Sequence, residues 1–220
     1  MGWQTDRPSP PQAPLPVRAA LVGAALAFST GAGLLAYFLS GLALPLGIAA
    51  ALLATGTAAV LVWRRLSARQ RATVRARAWV GIRAGAVATL AYDLTRVTVT
   101  YLFGLRVNPF AALPVFGQLL IAQPSASPAA KLVGLLYHLA NGIGFGTAYA
   151  LLAAGWGVPA GVAFALLLEA AMLAFYPGWL DIRAIGEFFS MSLAGHLAYG
   201  ATLGWLSRRL VHGRPLWWRP

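Results

Sequence analysis

The chain has 220 residues, 59% of them hydrophobic and only 10% charged, against about 25% charged in a typical soluble domain. Its formal net charge is +12 and it contains no cysteine, so disulfides, thiolate ligands and thiol catalysis are excluded. Apolar runs of about 20 residues point to an all-α, polytopic membrane protein.

In chain order, residues 1–16 are polar and carry Pro8, Pro10, Pro11, Pro14 and Pro16. This composition predicts a disordered cytoplasmic tail. Its length argues against a signal peptide. Six spans are expected after it. The first runs from about Val17 to Ser40 and the second from about Leu42 to Trp63, with Gly41 and Pro45 at the turn. Together residues 17–63 read as a peripheral transmembrane hairpin with no ionisable residue after Arg18 until its basic end. Residues 64–77 hold Arg64, Arg65, Arg69, Arg71, Arg75 and Arg77 and read as a basic cytoplasmic loop.

The third span is expected from about Ala78 to Gly104 and the fourth from about Lys131 to Ala153. Between them, residues 105–130 form a long outer loop. Its middle, Phe110 to Ala122, is apolar but too short to cross. It reads as a connector lying on the surface, or as a re-entrant cap over an outward-opening site. The fifth span is expected from about Val158 to Pro177 and the sixth from about Gly186 to Leu206. Residues 208–220 close the chain as a basic tail.

Six spans put both termini on the side of the 64–77 loop. That placement follows the positive-inside rule and predicts the cytoplasmic membrane, with both termini cytoplasmic. Arg106, Lys131 and Arg183 are the basic residues that fall outside. Trp63, Trp79, Trp156 and Trp205 land at the cytoplasmic interface and Trp179 at the outer one, as an aromatic belt would place them. Basic residues grouped at span ends do not form one basic face, so no nucleic-acid partner is expected. The lipid bilayer is the expected partner, with a homodimer as a further expectation.

Two stretches resemble each other. Gly81, Ala84, Gly85, Leu90 and Asp93 follow G-x-x-A-G-x4-L-x-x-D, and Gly157, Ala160, Gly161, Leu166 and Glu169 follow the same pattern ending in Glu. Downstream, His138 to Gly146 and His196 to Gly204 both read H-L-A-x-G-x3-G. Residues 78–153 and 154–207 are therefore expected to be parallel repeats, related by an axis along the membrane normal. The paired glycines suit close helix packing.

Counted at about 1.5 Å per helical residue, Asp93, His138, Glu169 and His196 share one layer about 10–15 Å below the outer surface. Arg96 lies one turn from Asp93 in that layer. An ionised side chain at such depth costs at least about 2.5 kcal/mol, so these groups are expected to face one another or a wet cavity. Asn141 sits on the face of His138, with Tyr199 in its place in the second copy. Tyr92, Tyr137 and Tyr199 adjoin layer residues in sequence, which turns them toward other neighbours.

Three readings follow. A small transporter or ion- and proton-binding protein would use Asp93, Arg96, His138, Asn141, Glu169 and His196 as its binding site. A metal-dependent membrane enzyme would use His138, His196, Glu169 and Asp93 as ligands, or the two histidines as haem ligands. The helical signatures E-x-x-H and H-E-x-x-H are absent, so spacing selects neither metal nor haem. A structural or accessory subunit would use the acid–histidine bonds as helix glue.

Overall fold

The computed structural model describes residues 15–212, and these form eight α-helices with no strand among them. They are α1 (Val17–Ala27), α2 (Ser29–Ser40), α3 (Leu44–Arg65), α4 (Ala68–Leu102), α5 (Ala112–Ile121), α6 (Pro128–Ala153), α7 (Val158–Trp179) and α8 (Ile185–His212). Nearly all of the Pro-rich tail expected at 1–16 lies outside the described residues, as does the basic tail expected at 208–220 beyond residue 212; its residues 208–212 are the last turn of α8.

Local chemistry sets most helix ends. Gly41, in the left-handed region at φ 70°, stops α2. A proline sits in the first turn of α3, α6 and α7, where its missing N–H leaves no bond unmade. Ser67 and Gln70 form a capping box on α4: the Gln70 N–H donates to Ser67 Oγ at 3.3 Å, and the Ser67 N–H to Gln70 Oε1 at 3.0 Å.

That capping box changes the reading of the basic segment. Residues 68–77, expected as loop, are the first turns of the 35-residue α4, and only Leu66 and Ser67 separate α3 from α4. Arginine is a good helix former, so a run of it does not interrupt a helix that starts on a strong cap. The first span, expected as one helix over Val17–Ser40, is two helices bent by 61° at Phe28. Ser29 Oγ donates back to the Ala25 carbonyl at 3.2 Å and lies 3.0 Å from Thr55 Oγ1 on α3. Such back-bonding opens a helix on one side.

Helix α4 is the centre of the bundle. It packs on α6 along one side and on α8 along the other, and α7 packs on the far side of α8. The row therefore reads α6, α4, α8, α7, and its two ends barely touch. Helices α1 and α2 lie against α6 and are backed by α3. The apolar loop segment is α5, seated on α6 with the Gly117 face against Ala130 and Gly134 against Leu113.

Two helices, α3 and α7, are long and apolar enough to cross a membrane, and α1 with α2 makes a third if the bent pair is one span. Helices α4, α6 and α8 are longer still but carry the charged and polar residues of the candidate site.

Close glycine contacts hold the row together. A Cβ on Gly146 would meet the Gly85 backbone, and one on Gly204 would meet the Gly157 backbone. Gly56 has open space. Gly146→Leu and Gly204→Leu are expected to destabilise the fold by about 1–3 kcal/mol or more. Gly56→Ala should be neutral or stabilising by up to about 1 kcal/mol. Thermal unfolding of the purified variants in detergent checks both.

Candidate functional site

The glycines fix the register that builds the site. Gly81 and Gly85 of α4 lie against Gly142, Gly146 and Thr147 of α6. Gly157 and Gly161 lie against Gly200 and Gly204 of α8. In both pairs the helices run in opposite directions. Moving about two turns beyond Gly85 on α4 reaches Asp93, and moving about one turn before Gly142 on α6 reaches His138. The same steps from Gly161 and Gly200 reach Glu169 and His196.

Each acid meets its histidine. His138 Nε2 lies 2.9 Å from Asp93 Oδ2 and 3.0 Å from Oδ1, and donates into the carboxylate. His196 Nδ1 lies 2.7 Å from Glu169 Oε2 and 3.1 Å from the Ser192 carbonyl. Ser192 Oγ donates to Glu169 Oε2 at 2.6 Å. The two copies thus bind their acids through different ring nitrogens. Nδ1 of His138 and Nε2 of His196 have no bonding partner among the described residues. Glu169 is the most buried of the four at 3% exposed, and its Oε1 has no partner among the described residues.

The pairs are joined through α4. The Tyr92 ring centroid is 4.9 Å from that of His196, edge-on, and 6.0 Å from that of His138. Because α4 lies between α6 and α8, Tyr92 stands between the two imidazoles. The Arg96 guanidinium stacks 4.7 Å from the Tyr92 centroid and 3.7 Å from Asp93 Oδ1, and donates to the Pro109 carbonyl. Gly195 makes room for it, since a Cβ there would strike Arg96 and Tyr92. Arg96 is 9% exposed, and its Nε has no partner among the described residues.

A cavity of about 520 Å³ opens beside this cluster, between α6 and α7. Phe28, Leu34 and Phe38 close it on one side, and Phe145, Met172 and Phe175 line its walls. Arg96, His138, Asn141 and His196 supply polar groups to it, with Tyr92 and Tyr199. Arg106, Asn108, Asp181 and Arg183 stand at its mouth, where Arg183 pairs with Asp181 at 3.5 Å in an exposed ion pair. Glu187, in the first turn of α8, accepts the Arg106 N–H at 2.6 Å and ties the loop after α4 to that helix.

Of the six expected binding residues, Arg96, His138, Asn141 and His196 line the cavity, while Asp93 and Glu169 sit behind their imidazoles. As for the metal set Asp93, His138, Glu169 and His196, no group of three or more such side chains among the described residues is placed to hold an ion. Tyr92 stands between the two acid–histidine pairs. Tyr92 and Tyr199, expected to face elsewhere, belong to the site. Tyr199 donates to the Gly142 carbonyl at 2.7 Å. Tyr137 does turn away, donating to the Thr30 carbonyl at 2.9 Å. Ser192 and Gly195 join the site without a motif to mark them. Tyr92 before Arg96 and Ser192 before His196 are both i,i+4 pairs, a spacing that puts them on the site's face.

Fold and site together define an all-helical protein with two or three apolar helices of spanning length and a cavity lined by two carboxylate-backed imidazoles. The chain belongs to DUF6789, a family of unknown function, which it matches over residues 75–216. That stretch holds both acid–histidine pairs and leaves α1–α3 outside. No curated protein and no solved structure matches the chain.

Glu169→Ala strands a buried imidazole and the Ser192 hydroxyl, and should destabilise by about 3–5 kcal/mol. Ser192→Ala should cost about 1–3 kcal/mol. Asp181→Ala breaks only an exposed pair and should stay within about 1 kcal/mol of the parent. Unfolding followed by intrinsic fluorescence ranks the three.

Proposed function

We propose that the chain is a six-span protein of the cytoplasmic membrane, built on a duplicated helix pair, that works as a small proton-linked transporter. In this reading the spans are bent α1–α2, then α3, α4, α6, α7 and α8. Their outward surfaces support it: Leu53, Leu94, Leu136 and Leu167 are exposed, as lipid-facing residues are. Helix α3 packs on α1 and α2 along one side and leaves most of its apolar length unburied. The duplication is supported by the matched glycine contacts and by two acid–histidine pairs at equal steps from them.

One observation carries the functional reading. Both imidazoles line a single cavity, each backed by a carboxylate, half-buried Asp93 and buried Glu169, and each with one nitrogen left open. Histidine is suited to taking up and releasing protons near neutral pH. A polar site within a repeated helical core is the usual plan of secondary transporters. Helix glue alone would need neither the cavity nor the open nitrogens. The cluster is therefore the proton-holding part, and the cavity is the binding site.

The absence of cysteine makes topology directly testable. Gln123→Cys should react with an impermeant maleimide in intact cells, and Arg65→Cys and Arg209→Cys only after permeabilisation. Reaction of the last two from opposite sides would overturn the six-span reading. For function, a pH jump over proteoliposomes on a solid-supported membrane should evoke a transient current. His138→Ala and His196→Ala should each reduce it to the level of protein-free membranes. No current from the wild type overturns the transport reading. One silent variant beside one disabling variant overturns the equivalence of the two histidines.

A further inference from the structure

We propose that the cavity holds a membrane-borne amphiphile with a single anionic head, carboxylate or phosphate, with the head on Arg96 and the apolar body against the aromatic walls. This rests on the reading of the cavity as a binding site and names the class of ligand it takes.

The charges of the lining carry the inference. Arg96, Arg106 and Arg183 line the cavity, and Asp181 is the only acid among the described residues that does. Asp93 and Glu169, which sequence alone offers as cation ligands, stand behind their histidines and outside the lining. The charged side chains on the lining are thus net positive; Asp93 and Glu169 offset that charge from behind their rings, and a proton on either imidazole raises it.

Arg96 is the built part of the site. It is nine-tenths buried, its guanidinium carbon lies 4.7 Å from the Tyr92 ring centroid, its Nη2 donates to the Pro109 carbonyl, and its buried Nε has no partner among the described residues. Asp93 reaches it only at 3.7 Å. A guanidinium so held offers a flat donor edge that suits a carboxylate or phosphate. Asn141, His138 and His196 lie on the same lining.

The body of the ligand follows from the gradient of polarity. Arg106, Asn108 and Arg183 stand at the mouth, and Phe28, Phe145 and Leu168 line the deeper part. From the level of His138 to that of Phe145 is about 10 Å along α6. A volume of about 520 Å³ is that of a site for a whole small molecule. A small inorganic anion would occupy the Arg96 end and leave most of the apolar wall unfilled. In the six-span reading the mouth faces outward, so the ligand lies with its head out and its tail inward, as an outer-leaflet lipid does.

Binding of radiolabelled laurate to the purified full chain in nanodiscs tests this by scintillation proximity. Saturable binding should be displaced by dodecyl phosphate and not by dodecanol, dodecyltrimethylammonium or acetate. Arg96→Gln should weaken it by about tenfold or more, Arg96→Lys should recover part, and Arg83→Gln, exposed on α4 outside the cavity, should leave it unchanged. Leu35→Trp fills the cavity without touching an ion pair and should also abolish binding, which guards against a misfolded Arg96 variant. Equal displacement by dodecanol or by the ammonium compound overturns the anionic head. Displacement by acetate at the same concentration overturns the amphiphile. No saturable laurate binding, or wild-type binding by both Arg96→Gln and Leu35→Trp, overturns the site. A pH-jump current that survives any of these failures leaves the transport reading standing.

Discussion

Glycine-to-backbone contact between antiparallel helices is the constraint on which the rest of this structure depends. Gly85 against Gly142 and Gly146, and Gly161 against Gly200 and Gly204, bring the helix axes as close as backbone allows. At that separation short side chains from facing helices can bond directly. Asp93 therefore reaches His138 at 2.9 Å, and Glu169 reaches His196 at 2.7 Å. A larger residue at any of these glycines would part the helices and leave a buried carboxylate facing an imidazole across a gap. The burial penalty would remain while the bond that offsets it was lost.

The two motif copies make the same contact within themselves but not between themselves. Helix α4 packs along α8, whereas α7 and α6, which hold the corresponding places, barely meet. The cavity occupies the space where that second contact would lie. Bent α1–α2 closes it, with Phe28 against Phe145 at 4.7 Å between centroids and Phe38 stacked on Phe175 at 5.0 Å. The bend at Phe28 thus has a use in packing, because a straight helix over Val17–Ser40 would not follow the edge of the opening. Asymmetry reaches the side chains as well. Asn141, lining the cavity, stands where the second copy has Tyr199, and Tyr199 spans back to the Gly142 carbonyl.

What the sequence made legible was local. Equal offsets between glycines and ionisable residues predict which acid meets which histidine, because an antiparallel pair with fixed register leaves little choice. The i,i+3 spacing of Asp93 and Arg96 likewise predicts their 3.7 Å approach. What could not be read depends on contacts far apart in the chain. Which nitrogen each histidine uses follows from Ser192, which holds His196 Nδ1 through its carbonyl and has no bonded counterpart at His138. Tyr92 enters the site because α4 has neighbours on two sides, and a pattern read along one helix assigns it to neither. The gap between α6 and α7 leaves no mark in either helix, since apolar residues suit a cavity wall, a packed face and a lipid surface alike.

The placement of the acids decides what kind of ligand this cavity can take. A bare carboxylate lining it would attract cations and repel anions. A carboxylate behind an imidazole does both more weakly, because an imidazolium and a carboxylate form a neutral unit and a neutral ring sets the charge farther from the ligand. The acids then act on the rings more than on the ligand, holding each one in position and offsetting a proton on its open nitrogen. Arg96 differs. Its one acid partner is shared with His138 and lies at the edge of contact, and aromatic faces of Tyr92 and Phe110 hold the guanidinium in place without neutralising it. In an apolar, poorly hydrated cavity an incompletely paired cation is costly. An anionic head at that point would relieve the cost, and an apolar tail would exclude the water that otherwise has to serve instead.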